Sequence, residues 1–412
     1  MKKRKILGLI VAVCMVLTFA VGCSSGGGNA GGSPATPPGG SPTAPGGSPT
    51  TPAPAPAHKT IGIYADASDS YYSLLNDALQ ACAKQDPDVN WTVDYKVGDS
   101  TANGQLSAVQ DFITAGYDAI IVIQNNPNTT SQCITLCKAA GIPYFGAVHD
   151  FSGVPNAKDS TGSTGYDFEA GGVMAGQDAM ARGIKKVIMI EGVLGQGTAA
   201  AQSLGFLEAY QQAGKSLGTK ADGTPWTAQE LAEQKPAVSD IHGTPDVEIV
   251  SWNSGNWMTD ASQKAMTDAI TSLGANGWDG AYVQNDPMVE GAINAMQAQG
   301  LSTDNYWLGS MNGREISWQW AKDGKISMDV NQPSTMEGCL LYQMLKQYFA
   351  TGSITKPHVA PYITPYTKEN INDIVDTLVP ATDVNNFMAG MNANKFVWKI
   401  DDPKFTEIPG YN

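Results

Sequence analysis

Short apolar segments alternate with amphipathic helical segments over most of this chain. Residues 119–123 read Ala-Ile-Ile-Val-Ile, a wholly apolar run that is typical of a parallel strand buried on both faces. Before this run, Leu106, Val109 and Ile113 follow one another at helical spacing. The alternation predicts an α/β fold made of βαβ units with parallel sheets.

The alternation runs through two consecutive series, which predicts two Rossmann-like lobes. The predicted strands are 60–64, 91–95, 119–123 and 144–148, then 186–190, 247–252, 280–284 and 307–309. The predicted helices between them include 130–140, 169–182, 199–213, 259–273 and 288–299. Residues 214–245 are polar and rich in Gly and Pro, which predicts a surface insertion with a short helix near 228–234.

The N-terminus has the pattern of a secretory signal. Four cations at positions 2–5 precede an apolar run over 6–19, and Ala20-Val21-Gly22-Cys23 closes it with small residues. The run is shorter than the ~20 residues of a spanning helix. The closing residues resemble the lipobox of bacterial lipoproteins, which implies a signal peptide over 1–22 and lipid attachment at Cys23. Plain secretion with an incidental cysteine is the alternative.

Residues 23–58 consist almost entirely of Gly, Ser, Pro, Thr and Ala. Such a composition cannot bury a core, and it predicts a tether between the anchor and the folded part. At ~3 Å per residue for Pro-rich parts, the tether would extend well into a thick cell wall. We therefore expect the protein to be held at the extracellular face of the membrane of a Gram-positive-type bacterium.

Charge and cysteine content exclude several classes of protein. The formal net charge is −14, which argues against a nucleic-acid partner. Cys82, Cys133, Cys137 and Cys339 are too few and too scattered for a disulfide scaffold. Cys133 and Cys137 have a spacing that permits a metal site, but no local His or carboxylate joins them, so small buried thiols are the better interpretation. We expect neither metal nor cofactor.

Carboxylate, amide and aromatic side chains recur where the predicted strands end. They include Asp66, Asp69, Tyr71 and Tyr72 after the first strand, the polar run 124–128, His149, Asp150, Glu191, Gln196, Trp252, Asn253, Trp257, residues 284–286, Asn312 and Gln332. Ligands of open α/β sheets bind at the carboxyl ends of the strands. Planar amides and carboxylates suit sugar hydroxyls, and aromatic rings suit sugar C–H faces. This pattern favours a small polar ligand, most simply a sugar.

Several motifs, in order along the chain, resemble those of the type I periplasmic sugar-binding proteins, the ribose- and galactose-binding group. They are Asp69-Ser-Tyr-Tyr72, Gly116-Tyr-Asp-Ala-Ile-Ile-Val, Ala140-Gly-Ile-Pro143, Gln284-Asn-Asp-Pro-Met288 with Gly291-Ala292, and Asp323-Gly-Lys-Ile326 followed by Gln332. The resemblance extends from Lys59 to about Tyr366. It implies two lobes with parallel sheets, a hinge of three segments, and ligand capture without catalysis.

The same resemblance implies the lobe boundaries. The N-terminal lobe is expected to comprise residues 59–165 and 333–360, and the C-terminal lobe residues 166–332 with the tail 361–412. The hinge crossings are expected near 163–167, 332–334 and 360–366. The Cys82 and Cys133 helices would lie on opposite faces of one sheet, which disfavours a disulfide between them.

Ligand contacts are also implied position by position. They are Asp69, Tyr71, Tyr72, His149 or Asp150, Gln202, Trp257, Asn285, Asn312 and Gln332. Family members generally have Arg at the position of Gln202 and Asp at that of Asn312. These departures imply a different neutral sugar, weaker binding, or contacts from other charged groups such as Asp66, Glu191 or Arg314. Core packing is the alternative role for Tyr71, Tyr72 and Trp257.

Enzyme motifs fit the sequence poorly. Asp66 and Asp69 are too close in one loop for a glycosidase pair, and Gly192-Val-Leu-Gly195-Gln-Gly197 lacks the Lys that a phosphate loop needs. We expect a monomeric, non-enzymatic solute-binding component of an ABC transporter, partnered by a membrane permease. Its ligand would be a monosaccharide such as glucose or another aldose, or a short oligosaccharide. The alternatives are a sensor for a membrane receptor or histidine kinase, and a binder of a nucleoside or autoinducer.

Overall fold

The computed structural model describes residues 55–124, 126–149, 151 and 153–408. Its first sheet contains the strands β1 (His58–Ala65), β2 (Asn90–Val97), β3 (Ala119–Ile123), β4 (Tyr144–Val148) and β5 (Gly162–Gly165). The helices between them are α1 (Ser70–Gln85), α2 (Ala102–Thr114) and α3 (Pro127–Ala140). These strands pair in parallel in the order β5-β4-β3-β1-β2, and β3 and β4 are buried along their whole length.

The second half of the chain builds the second sheet. Its elements are α4 (Phe168–Ala181), β6 (Lys186–Glu191), α5 (Gly197–Gln212), α6 (Ala228–Gln234), β7 (Glu248–Ser254), α7 (Thr259–Leu273), β8 (Gly280–Val283), α8 (Asp286–Ala298), β9 (Trp307–Ser310), α9 (Glu315–Lys322) and β10 (Met328–Asn331). Their order in the sheet is β10-β9-β8-β6-β7. The two parallel sheets confirm the predicted α/β fold with two lobes.

Amphipathic helices cover both faces of each sheet. In lobe one, α1 packs on one face through Leu75 and Leu79, and α2 and α3 pack on the other through Val109 and Ile134. Cys82 and Cys133 accordingly lie in different core clusters, and all four described cysteines are free and buried. The burial of these thiols explains why they behave as small apolar residues.

Close helix contacts fix part of lobe two. A Cβ atom at Gly172 of α4 would lie 2.2 Å from the backbone oxygen of Gln202 in α5, and one at Gly205 would lie 2.0 Å from that of Glu169. Glycine is required at both places, because any side chain would collide with backbone. The approach brings α5, and Gln202 with it, directly against α4. The short helix α6 was predicted, and Thr227 and Glu230 form its capping box.

The remaining elements follow α10 (Ser334–Thr351), which returns the chain to lobe one. They are β11 (His358–Ala360), β12 (Thr364–Thr367), α11 (Ile371–Ile374), α12 (Val384–Asn392) and β13 (Thr406–Glu407). Strand β12 pairs antiparallel with β10 in the second sheet, whereas β11 pairs with β5 and β13 pairs antiparallel with β11 in the first. The chain thus crosses between the two sheets after β5, after β10 and after β11.

The prediction that the whole tail after residue 360 belongs to lobe two needs correction. Leu378 still packs in a lobe-two core, but Phe387, Met391 and Phe405 are buried in the core of lobe one. The apolar face of α12 therefore covers α1, and the chain crosses between the lobes a fourth time within the described residues. The sequence pattern did not reveal this crossing, because periodicity shows that a helix is amphipathic and not which lobe it covers.

The predicted signal segment, Cys23 and the tether up to residue 54 lie outside the described residues. Within the part of the chain that the structure describes, no helix is both long enough and apolar enough to cross a bilayer.

Candidate ligand-binding site

A cavity of about 240 Å³ lies between the lobes at the carboxyl ends of several strands. Each predicted ligand residue that the structure describes lines it: Asp69, Tyr71, Tyr72, His149, Gln202, Trp257, Asn285, Asn312 and Gln332. Asp150 lies outside the described residues. The two lobes and the hinge all contribute, as expected for parallel sheets whose carboxyl ends face one another.

The wall from lobe one is built at the start of α1. The side chain of Asp69 caps this helix by accepting the N–H of Tyr71 at 2.7 Å. The rings of Tyr71 and Tyr72 meet edge to face, with centroids 6.5 Å apart. Both rings also pack against the lobe-one core. The core and cavity interpretations therefore both apply, because each residue packs against the core and also lines the cavity.

Glu337 is fully buried behind this wall. Its Oε2 accepts a hydrogen bond from the hydroxyl of Tyr71 at 2.9 Å, whereas its Oε1 is buried without a hydrogen-bond partner among the described residues. Desolvation raises the pKa of Glu337 to about 8, so the carboxyl is mostly protonated at neutral pH. A largely neutral acid thus holds the hydroxyl of Tyr71 in the cavity wall.

Val148 itself has an unusual backbone. Its φ of 69° lies in the left-handed region, which is strained for a β-branched residue. The conformation turns the chain at the end of β4 so that His149 follows at the cavity.

His149 and Asp66 complete the titratable groups near this wall. Burial lowers the pKa of His149 to about 4, so its imidazole is neutral, and its Nε2 lies 3.5 Å from the hydroxyl of Tyr72. Burial, followed by the charge of Asp69, raises the pKa of Asp66 to about 6. Asp66 does not line the cavity, although the sequence left it open as a charged contact.

Trp257 provides the aromatic surface of lobe two. Its backbone is left-handed, with φ of 61°, and its Nε1 donates to Oε1 of Gln196 at 2.6 Å. The ring lies against Gly192, where a Cβ atom would come within 2.1 Å of it. The indole is thus fixed on one face and at its polar edge, and it still lines the cavity.

Two of the amides are partly committed to the protein itself. Oδ1 of Asn285 caps α8 by accepting the N–H of Met288 at 2.9 Å, and its Nδ2 donates to the backbone oxygen of Trp257 at 3.3 Å. Oε1 of Gln202 accepts the hydroxyl of Tyr282 at 3.1 Å. These bonds orient both amides, but they leave fewer groups for a ligand.

Gln332 differs from these amides. It is 3 % exposed and lines the cavity, and its Oε1 is a buried acceptor without a hydrogen-bond partner among the described residues. A buried acceptor without a partner is costly. Because Gln332 follows β10 at a hinge crossing, a ligand hydroxyl that donates to this oxygen would act directly at the hinge.

Asn312 is placed by its backbone. It has φ of 144° and exchanges backbone hydrogen bonds with the start and the end of a hinge segment, from its N–H to Val330 and from Gln332 to its carbonyl. Its neighbour Gly313 has φ of 67°, and a Cβ atom there would lie 2.2 Å from Cα of Asn331. This close packing holds the loop against the hinge.

The sequence did not single out some of the lining residues, which include Ser68, Phe168, Thr198, Pro287 and Ala381. Gln196, Gln284 and Arg314 also line the cavity; they are noted at strand ends in the sequence but are not assigned there as ligand contacts. Arg314 is the one basic Arg or Lys among the described lining residues, and Asp69 is the one carboxylate. Arg314 was an open alternative at a strand end, but Ala381 carries no sequence signal because its methyl group has no distinctive chemistry.

A buried carboxyl pair supports the Arg314 loop. Asp286 accepts the backbone N–H of Arg314 at 2.8 Å, and Asp329 in the hinge strand β10 accepts the hydroxyl of Tyr366 at 2.8 Å. Desolvation and the neighbouring Asp329 raise the pKa of Asp286 well above its ordinary value. Burial and the nearby Asp329 carboxyl therefore both disfavour a charge on Asp286.

Glu191 does not face the cavity, contrary to the open possibility that it contacts ligand. It is fully buried and accepts a hydrogen bond from Nε1 of Trp252, and Nζ of Lys235 lies 3.4 Å from it. The described strand-end residues 124 and 126–128 do not line the cavity either. Gln124 accepts the hydroxyl of Thr130, and Asn126 caps α3. Some polar residues at strand ends thus line the cavity, whereas others cap helices or form buried hydrogen bonds.

No group of three or more His, Cys, Asp or Glu side chains suited to a metal ion occurs among the described residues. The cavity is instead lined by amides, hydroxyls, aromatic rings and a balanced pair of charges. Such a lining binds and orients a polar, uncharged molecule.

Comparison with known proteins gives matches over most of the chain. A family model described as periplasmic binding protein domain matches residues 62–353. The xylitol-binding protein of Mycolicibacterium smegmatis is 23% identical over 358 residues, which cover 85% of this chain and 89% of that protein.

Solved structures match with low identity. A solute-binding protein of an ABC transporter from Bacillus halodurans with bound myo-inositol has a TM-score of 0.61 and 19% identity, and covers 76% of this chain and 96% of its own. A periplasmic solute-binding protein from Actinobacillus succinogenes with bound D-allose has a TM-score of 0.60 and 20% identity. The match covers 76% of this chain and 99% of that protein. At this identity the two structures establish a shared fold.

Proposed function

This chain belongs to the periplasmic binding protein family, and on that premise we propose that it is the extracellular solute-binding component of an ABC transporter for a small neutral sugar or polyol. The family match confirms the resemblance that the sequence motifs predicted. The family consists of non-catalytic binding proteins, so the chain is a binding protein and not an enzyme.

The observation that carries the ligand class is the chemistry of the cavity. The unpartnered Oε1 of Gln332 requires a donor, and a sugar or polyol hydroxyl supplies one. Trp257 offers a fixed aromatic surface for C–H groups. Arg314 and Asp69 balance each other in charge, which favours a neutral ligand over an anion or a cation.

Cavity size and relatives narrow the class further. The volume of about 240 Å³ is just below the ~300–1,000 Å³ of ordinary small-molecule sites, and this favours a single sugar ring or a short polyol over an oligosaccharide. Xylitol, myo-inositol and D-allose are the ligands named for the similar proteins. All three are neutral and carry hydroxyl groups on successive carbons. We therefore propose a monosaccharide or polyol with several adjacent hydroxyls.

Ligand capture is proposed to work by hinge closure. Residues from both lobes line one cavity, so a ligand that contacts both lobes binds the closed form more tightly than the open form. This difference in affinity alone shifts the equilibrium toward closure. A membrane permease would then recognise the closed shape.

A thermal-shift screen followed by solution scattering tests this function. Xylitol, myo-inositol, D-allose, D-glucose and a nucleoside are added in turn, and we expect a polyol or aldose to raise the melting temperature. Saturation at ~100 times Kd adds about 2.7 kcal/mol of stability. We also expect that ligand lowers the radius of gyration. A shift with the nucleoside alone, or an unchanged radius at saturation, would contradict the proposal.

Location at the outer face of the membrane is proposed from the sequence around Cys23. We expect Cys23→Ala to release the protein into the medium or leave it unprocessed, because the thiol of Cys23 is the proposed site of acylation. Cys14→Ala is the matched control, since Cys14 lies within the apolar run and should be removed with the signal peptide. Immunoblots of the membrane and medium fractions distinguish anchoring from plain secretion. Plain secretion predicts that both variants and the wild type are released to the same extent.

A further inference from the structure

The C-terminal segment 379–382 lies where the chain makes its fourth crossing between the lobes. Leu378 packs in the lobe-two core that contains Ile371, and Val379 packs in the lobe-one core that contains Phe387. The chain beyond it stays with lobe one. In α12, Met388 contacts Cys82 of α1 with a sulfur-to-sulfur distance of 3.9 Å.

Two residues next to another lobe crossing form hydrogen bonds with the first residues of segment 379–382. The side-chain amide of Asn331 bonds Val379 twice, accepting its N–H at 2.9 Å and donating to its carbonyl at 3.0 Å. The hydroxyl of Thr335 donates to the carbonyl of Pro380 at 2.6 Å. Asn331 ends β10 and Thr335 lies in the first turn of α10, so segment 379–382 is bonded on both sides of another crossing.

Glu315 bonds the next residues from lobe two. This residue begins α9, whose Ala321 packs in the lobe-two core. Its carboxylate accepts the N–H of Ala381 at 3.2 Å, the N–H of Thr382 at 3.1 Å and the hydroxyl of Thr382 at 2.6 Å. Hydrogen bonds to a charged acceptor are stronger than neutral ones. They join α9 of lobe two to a segment that leads into lobe one.

The joined segment is also part of the cavity wall. Ala381 is 5 % exposed and lines the cavity together with Arg314, the residue before Glu315. Separating the lobes at this edge would break the bonds to Glu315 and would move Ala381 away from Arg314. The position of segment 379–382 and the closure of the cavity are thus coupled by direct contacts.

We propose that segment 379–382 is a fourth inter-lobe connection and that Glu315 is its latch, a positioning residue that favours the closed arrangement before ligand arrives. The inference rests on the lobe motion of the proposed function but not on the identity of the ligand. A latch of this kind raises the fraction of protein that is ready to bind, and the apparent Kd is inversely proportional to that fraction.

Ligand-free protein provides the test. Glu315→Ala removes all the acceptor oxygens, Glu315→Gln retains one carbonyl oxygen, and Glu233→Ala is the control, because Glu233 is an exposed residue of α6 that pairs locally with Gln229. Amide hydrogen exchange at Val379, Ala381 and Thr382 and the radius of gyration are measured for each variant.

We expect Glu315→Ala to speed exchange at Ala381 and Thr382 by about tenfold or more, and to enlarge the radius of gyration. Val379 should keep its protection, since Asn331 holds its N–H, and Glu315→Gln should fall between the wild type and Glu315→Ala. Unchanged exchange or an unchanged radius in Glu315→Ala would overturn the latch. So would a loss of protection throughout α12, because Glu315 would then only support folding of the tail. None of these outcomes depends on whether a sugar binds.

Discussion

Gln332→Leu is expected to weaken binding of the best polyol or aldose from the screen by about 10- to 100-fold, because a hydroxyl of the bound ligand then loses its acceptor. An unpaired buried polar group costs ~1–3 kcal/mol, and each 1.4 kcal/mol corresponds to about tenfold in Kd. The substitution should not weaken the fold by a similar amount, since Oε1 of Gln332 has no protein partner among the described residues.

Trp257→Ala belongs to the same experiment and is expected to weaken binding at least about tenfold through loss of the aromatic surface. The controls are Gln229→Leu, a surface amide of α6, and Trp398→Ala, a half-buried indole that does not line the cavity. Asn285→Ala is a poorer test, because it also removes the cap of α8, worth ~1 kcal/mol.

Calorimetric titration of each variant measures Kd, and chemical denaturation measures the free energy of unfolding. The ligand assignment is supported if Gln332→Leu and Trp257→Ala lose affinity while the two controls keep it. Wild-type affinity in both cavity variants would show that the ligand binds elsewhere.

Glu337→Gln is expected to remove a large part of the pH dependence of stability. Burial raises the pKa of Glu337 to about 8 in the folded protein, against ~4.3 in the unfolded chain. The folded state therefore binds more protons than the unfolded state between these values. The free energy of unfolding contributed by this carboxyl is fully present below about pH 4 and is lost as pH rises toward 8, with a slope of up to about 1.4 kcal/mol per pH unit.

Glutamine stays neutral and keeps an oxygen for the hydroxyl of Tyr71. The difference in unfolding free energy between Glu337→Gln and the wild type should rise with pH from about 5 to 8, by a few kcal/mol in total. Taking this difference cancels the titration of other buried acids, such as Asp66 and the Asp286 and Asp329 pair. Glu233→Gln, at an exposed position of α6, is the control. Parallel curves for Glu337→Gln and the wild type would contradict a raised pKa.

Local sequence signals predicted most of the scaffold. The predicted bounds of β3, β4, α6 and α7 agree with the structure, because wholly apolar runs and helical spacing are set by residues near in the chain. Trp257 and Gln332 were noted among the polar and aromatic residues near strand ends, the family resemblance implied that they contact ligand, and both line the cavity.

Sequence alone could not show which polar residues at strand ends line the cavity and which only cap helices or are buried. Asp69, Asn126 and Asn285 all follow strands and all cap helices, yet Asp69 and Asn285 line the cavity and Asn126 does not. Glu191 has the same sequence context and is buried against Trp252. The difference lies in the direction of each loop, which packing of distant segments sets.

The sequence by itself determined that this chain forms two parallel α/β halves whose strands end in polar residues, because both follow from local periodicity. The family resemblance, and not the periodicity, implied that the two lobes face one cleft. Tertiary structure decided that the tail returns to lobe one, that Ala381 forms part of the cavity wall, and that Glu337 is a buried neutral acid. The physical reason is that burial, desolvation and contact between distant segments exist only in the folded chain. An alanine in a polar tail and a glutamate on a helix give no local sign of them.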